Sequence, residues 1–419
     1  MDTQTPTFCV HRATPAGEGG IALFELYGDG ATEVLRRCFR SRRGDLPTVG
    51  EARFGELVDT VGEAIDEAIL NRIPAEGMWS RLEGGTLSIH GGEWIQERAS
   101  NLLRELGGEL LTTRAVLERA VSESALDAIQ AQAYELLLSS ETEKGARFFL
   151  RHYSGEFSRR LDSTLMGLSL ERVDESLDEI RQMLTASSAT LPMAQPLHVL
   201  IAGRPNAGKS TLFNRLVEEE RVVVSPVPGT TRDRLEETIV IAGYPVRISD
   251  SAGLRSPHAV SPVERQGIAR ARSTVSDAVL FMVPYPWKLN ADDCAFLGGV
   301  ERDRVLVVAS MSDLAGDEQC PVAEVQADVV IAAEHGEGLD ELRVALTQRW
   351  LGGGGPDDEL PCAPFTPRQI ELLEPLLDTA LCGDRLLDVA RRAYIQCRWH
   401  SWPAGPSPDD GRRLPKSVS

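Results

Sequence analysis

Apolar residues along the chain recur with two different periods, and the change of period divides it into segments. Up to about residue 110, short apolar or alternating runs (Phe8-Cys9-Val10, Ile21 to Leu26, Thr86 to Ile89) lie among glycine-rich turns such as Gly17 to Gly20 and Gly91-Gly92. Runs of that kind bounded by turn residues predict strands, whereas Ala31 to Phe39 and Trp94 to Glu105 carry helical spacing. The first segment, residues 1–110, therefore reads as an α+β domain. From Thr113 to Ala186 the apolar residues fall three and four apart, as in Leu126, Ile129, Ala133 and Leu136, then Leu161, Leu165 and Leu168. Such a stripe predicts amphipathic helices, here over residues 111–192. A linker with Pro192 and Pro196 follows. Strand and helix patterns then alternate over residues 197–352, which predicts an α/β domain with a doubly wound, mostly parallel sheet. Gly352 to Gly355, Pro356 and an acidic cluster predict a loose exit. Helical spacing returns over residues 365–400, and residues 403–419 have the composition of a disordered tail. Helical segments on both sides of the alternating one predict that the α/β domain is inserted in an all-α helical domain.

The chemistry concentrates where the alternating pattern begins. The strand-like run Leu197 to Ala202 is followed by Gly203-Arg204-Pro205-Asn206-Ala207-Gly208-Lys209-Ser210, and a helical pattern opens at Lys209-Ser210-Thr211. Strand, glycine turn and helix in that order form a phosphate-binding P-loop. Gly203 and Gly208 let main-chain N–H groups curl inward, and the helix adds its positive end. Lys209 supplies a charge for the outer phosphates, and the Ser210 hydroxyl suits Mg²⁺. Downstream, Pro228-Gly229-Thr230-Thr231-Arg232-Asp233 places hydroxyls where a γ-phosphate sensor belongs. Asp250-Ser251-Ala252-Gly253 follows the strand-like Val246 to Ser249, with a carboxylate to hold a Mg²⁺ water and the Gly253 N–H for the γ-phosphate. Each motif alone is weak; the three in order point to a nucleoside triphosphate.

Composition narrows the setting. The 419 residues are 42% hydrophobic and 26% charged, with no apolar run of membrane-spanning length and no signal-peptide profile at the start. A net charge of −19 argues against a coat on nucleic acid. The local cluster Arg36, Arg37, Arg40, Arg42 and Arg43 reads first as a solvated helix end and second as an RNA-phosphate patch. Seven scattered cysteines without a Cys-x-x-Cys pair suit reduced thiols, hence a cytoplasmic location. Cys397 reads as a packing residue.

The three nucleotide motifs, with Asp250-Ser251-Ala252-Gly253-Leu254-Arg255, make the chain resemble the tRNA wobble-uridine modification GTPases (the MnmE/TrmE family). Ala13 to Ile21 and His90-Gly91-Gly92 resemble that family's N-terminal domain, so the likeness covers nearly the whole chain, sharply in the G domain and faintly elsewhere. The resemblance implies GTP hydrolysis and a folate-binding, dimerising N-terminal domain. It also implies a helical domain with the G domain inserted, and partners that include tRNA and an FAD-dependent protein. It assigns Ser210 and Thr231 to Mg²⁺, and Asn206, Ser225, Val227 and Thr230 to a K⁺ ion in place of an arginine finger. Glu264 would orient the attacking water, so the catalytic set is Glu264, Lys209 and Thr231. GTP contacts would come from Gly203, Asn206, Ala207, Gly208, Lys209, Ser210, Thr211, Gly229, Thr230, Asp250, Gly253 and Asp313.

The sequence departs from the family in two places. The family's Asn-Lys-x-Asp is here Ser310-Met311-Ser312-Asp313, and Ala332-Ala333-Glu334 lacks the serine of the second base loop. Asp313 can still accept from guanine N1–H and N2–H₂, so a weakened guanine site is expected. The family binds formyl-folate through an arginine, a glutamate and lysines. Glu25 stands at the arginine position and Leu82 at the glutamate position, the stretch from Thr112 to Val121 has no matching lysine, and the terminal Cys-x-Gly-Lys is replaced by Pro415 to Ser419. A carboxylate at Glu25 would repel the glutamyl tail of folate, which weighs against one-carbon transfer. The alternative readings are a nucleotide-dependent switch or assembly protein without folate and tRNA chemistry, and a degenerate nucleotide binder.

Overall fold

The computed structural model describes residues 8–15, 17–41, 44–73, 84–168, 172–220, 236–250, 276–316, 318–378 and 384–398. Two compact units divide the chain, the first built on residues 1–135 and the second on residues 136–397. No helix among the described residues is long and apolar enough to cross a membrane.

The first unit is a sheet of strands β1 (Phe8–Arg12), β2 (Ile21–Tyr27), β3 (Phe39–Ser41), β4 (Ala52–Val58), β5 (Ala64–Ile73), β6 (Gly84–His90) and β7 (Gly108–Leu111). Their order is β3-β4-β5-β6-β2-β1-β7. Neighbours pair antiparallel except β1 with β7. Alternation decides the faces. Val10, Ala22, Phe24, Leu26, Leu70 and Leu87 point to one side. There they meet helices α1 (Ala31–Cys38) and α2 (Glu93–Glu105) through Val34, Leu35, Ala99, Leu102 and Leu103. On the other side Val116 of helix α3 (Thr113–Ser122) packs on Cys9 and Tyr27. Of the arginine cluster, Arg36 and Arg37 lie in the last turn of α1, and Arg40 is paired with Glu56 at 2.7 Å.

Helix α4 (Ala128–Leu138) leads into the second unit, whose helices α5 (Glu143–Tyr153), α6 (Glu156–Gly167) and α7 (Val173–Ala194) precede its sheet. Pro192, expected in a linker, lies inside the last turn of α7. A proline there costs one intrahelical bond, and burial of Leu191, Pro192 and Met193 offsets it. The sheet runs β8 (Leu197–Gly203), β9 (Glu236–Ile241), β10 (Tyr244–Asp250), β11 (Ala278–Pro284), β12 (Val305–Ser310) and β13 (Val329–Val330), in the order β13-β12-β11-β8-β10-β9. All pairs are parallel except β9 with β10. Apolar β8, β11 and β12 are buried through almost their whole length, as a sheet covered on both faces requires. Helix α8 (Lys209–Glu220) follows β8 directly.

The exit expected to be loose is gripped instead. Lys144 Nζ donates to Gly355 O at 2.6 Å, Arg151 Nη1 to Leu360 O at 3.0 Å and Arg160 Nη1 to Cys362 O at 2.7 Å. His152 Nε2 meets Ala363 O at 3.2 Å, and the Thr190 hydroxyl donates to Pro364 O. Phe365 then enters the cluster of Phe148, Phe149 and His152, its centroid 5.0 Å from the His152 ring. Helices before the sheet and chain after it thus share one core. Cys397 is buried, in keeping with a packing role.

Candidate functional site

The parallel strands β8, β10, β11 and β12 end on one edge, where open α/β sheets hold their ligands. After β8 the chain turns through Gly203 (φ +138°), Asn206 (φ +61°) and Gly208 (φ +85°) before α8 begins at Lys209. At Gly203 an added Cβ would lie 2.5 Å from Met282 O, so the turn can approach β11 this closely only with glycine. Lys209 Nζ donates to Gly203 O at 3.0 Å and Arg204 O at 2.7 Å. Burial pushes its pKa down, with Asp250 opposing. The Ser210 hydroxyl donates to Asp250 Oδ2 at 2.7 Å. Asp250 reaches it because β10 pairs in parallel with β8, which puts the last residue of β10 beside Ile201.

Gly203, Asn206, Ala207, Gly208, Lys209, Ser210, Thr211 and Asp250, all read from the sequence as nucleotide contacts, therefore meet at one strand edge. Mg²⁺ binds through few protein oxygens and keeps water and phosphate oxygens, and a hydroxyl touching a carboxylate beside a glycine loop suits it. Among the described residues no group of three or more His, Cys, Asp or Glu is placed to hold another metal. Gly229, Thr230, Thr231, Ser225, Val227, Gly253 and Glu264 lie outside the described residues.

The segment read from the sequence as base-contacting follows β12. Ser310 is buried and donates through its hydroxyl to Ala207 O at 2.9 Å. Met311 takes a left-handed conformation (φ +63°), and Asp313 is exposed in the next turn. A cleft of about 310 Å³ is lined by Ser210, Thr211, Asn214, Arg215, Glu218, Ala333 and Glu334. Asn214, Arg215 and Glu218 of this lining were not singled out in the sequence. Their spacing from Thr211, three, four and seven residues along one helix face, was the signal that could have found them.

In the first unit Glu25 is engaged within the domain. His11 Nδ1 lies 2.9 Å from its Oε2, and His11 Nε2 lies 3.0 Å from Thr113 Oγ1. With the proton on Nδ1, the ring donates to Glu25 and accepts from the Thr113 hydroxyl. The His11 side chain is 3% exposed and that of Glu25 17%. A carboxylate at this position does not fit the anionic tail of folate, and no step is derived through that cofactor. Leu82 lies outside the described residues.

Comparison with known proteins agrees with the second unit's chemistry. The profile of a family described as 50S ribosome-binding GTPase matches residues 198–310. The tRNA modification GTPase MnmE of Aquifex aeolicus is 31% identical over 364 residues, 80% of either chain. That of Moorella thermoacetica is 31% identical over 388 residues, 83% of either chain. That of Thermus thermophilus is 32% identical over 396 residues, 86% of this chain and 85% of the relative. Identity at this level, sustained across both units, places the chain in the family of MnmE tRNA modification GTPases.

Proposed function

We propose that this protein binds GTP with Mg²⁺ at the β8–α8 loop, hydrolyses it, and acts in the modification of tRNA at the wobble uridine. The carrying observation is the Ser210–Asp250 contact beside a glycine turn that opens helix α8. When bound, Mg²⁺ would neutralise charge on the phosphate oxygens. Ser210 and Asp250 are the residues that would hold it, the first directly and the second through water. Lys209 would exchange its two main-chain carbonyl partners for phosphate oxygens, which its partly desolvated ammonium meets at full electrostatic strength.

The same reading gives Thr231 to Mg²⁺ and Asn206, Ser225, Val227 and Thr230 to K⁺. Gly229 contacts GTP, the Gly253 N–H serves the γ-phosphate, and Glu264 positions water. It also treats residues 197–352 as a G domain inserted between helical segments 111–192 and 365–400. The side chains that bind Gly355 to Pro364 support that insertion. A homodimer through residues 1–110, an FAD-dependent partner and a cytoplasmic location complete the proposal. Kinship with tRNA modification GTPases favours it over the switch reading.

GTP turnover measured in K⁺ and in Na⁺ tests the proposal. Faster turnover in K⁺, abolished by Asp250→Ala, is the expected result. Equal rates in both salts would remove the K⁺ assignment, and absence of Mg²⁺-dependent GTP binding would end the reading altogether.

A further inference from the structure

Ser310 occupies the place from which an asparagine would be expected to serve base recognition, yet its contacts face the other way. The side chain is 1% exposed, and its single hydroxyl proton goes to Ala207 O at 2.9 Å. Its main chain is fixed as firmly. Ser310 O accepts from Tyr285 N at 3.1 Å and from Trp287 Nε1 at 3.0 Å. A serine so held has no donor left for a purine.

The bond to Ala207 has a directional consequence. The Ala207–Gly208 peptide is trans and planar, so its C=O and N–H point in opposite directions. With Ala207 O bonded to Ser310 at the end of β12, the Gly208 N–H points away from that strand end. Methyl groups of Met282 and Met311 lie 3.6 and 3.8 Å from where a Gly208 Cβ would stand, so the neighbourhood of this glycine is apolar. Without the serine hydroxyl, Ala207 O would be a buried acceptor lacking that partner. The peptide would then be free to rotate towards another donor.

We propose that Ser310 is a positioning residue for phosphate binding, which orients the Gly208 amide toward the phosphates and takes no part in reading the base. The inference rests on the GTP site proposed above and assigns its two ends to different residues: phosphate-loop orientation to Ser310, base choice to Asp313.

The test is competition binding on the full chain with Mg²⁺, using GTP, ATP and inorganic tripolyphosphate. Ser310→Ala should weaken GTP and tripolyphosphate by the same factor, about 2- to 12-fold, the value of one hydrogen bond. The GTP-to-ATP preference should stay within about two-fold of the parent. Ser310→Cys, close in shape and a weaker donor, should fall between the parent and Ser310→Ala. Asp313→Ala should do the reverse, lowering the GTP-to-ATP ratio and leaving tripolyphosphate unchanged. A changed GTP-to-ATP ratio in Ser310→Ala, or tripolyphosphate binding equal to the parent's, overturns the inference and leaves the GTP site standing. Failure of the parent protein to bind GTP overturns both.

Discussion

Asp313 and His152 show how much one side chain can carry. In the proposed function Asp313, exposed in the turn after β12, reads the base, and a carboxylate pairing with two guanine donors contributes about 1–3 kcal/mol of discrimination. Asp313→Ala should therefore reduce GTP affinity by about 5- to 150-fold and leave ATP affinity near its starting value, a comparison that fluorescence competition can make. His152 is buried with Nδ1 2.9 Å from Phe148 O and Nε2 3.2 Å from Ala363 O. Desolvation pushes its pKa down from 6.5 to about 4, against the pull of those two carbonyls. The folded state thus takes up this proton less readily than the unfolded one. Its stabilising share is intact above the unfolded value and is lost as pH falls from 6.5 toward 4. Urea unfolding at pH 7 and pH 4 should show the parent losing about 3 kcal/mol more than His152→Gln, which cannot titrate in that range. At this scale the sequence was legible wherever one residue type answers a local demand, as at Gly203, Lys209 and Asp250. It was silent where the partner comes from another strand or helix. His11 meets Glu25 only because β1 and β2 pair in that register, and Ser310 meets Ala207 only because β12 ends beneath the loop.

Elements with a clean period were visible in advance. Helices α1 and α2, strand β8 and strand β12 fall within a residue or two of where periodicity puts them. Strands β4 and β5 were not seen. Ala52–Val58 carries Arg53, Gly55 and Glu56, and Ala64–Ile73 carries Asp66, Glu67, Asn71 and Arg72, so neither shows an apolar alternation. Seven cross-strand pairs between β4 and β5, and five more between β5 and β6, supply what the pattern lacks. The β9–β10 hairpin carries a second tertiary feature. At its turn Ala242 O lies 3.3 Å from Lys144 Nζ, the ammonium stands 4.6 Å from the Tyr244 ring centre, and the same nitrogen holds Gly355 O. Two bonds from a charged donor and a ring contact make this an anchor between α5 and the hairpin. Lys144→Ala should lower stability by about 3 kcal/mol in urea unfolding. A change below about 0.5 kcal/mol would show that solvent replaces the anchor without loss.

For the molecule as a whole, two compact units with separate cores imply two melting events. Calorimetry should resolve them, and Mg²⁺–GTP at 100 times its Kd should stabilise by about 2.7 kcal/mol only the unit that carries the P-loop. A single transition, or an equal shift of both, would contradict that picture. The stretch from Gly355 to Pro364 has its own whole-chain consequence. Five side chains seize it by main-chain oxygens, while Pro356, Asp357, Glu359 and Pro361 stay exposed. Main-chain oxygens are the same in every amino acid, so spelling matters little at the strap's exposed positions and spacing matters a great deal. Asp357→Asn or Pro361→Ala should pass nearly unnoticed in thermal melts. Deleting one residue between those positions would slide every later carbonyl past its donor, as a zipper jams when a tooth is missing.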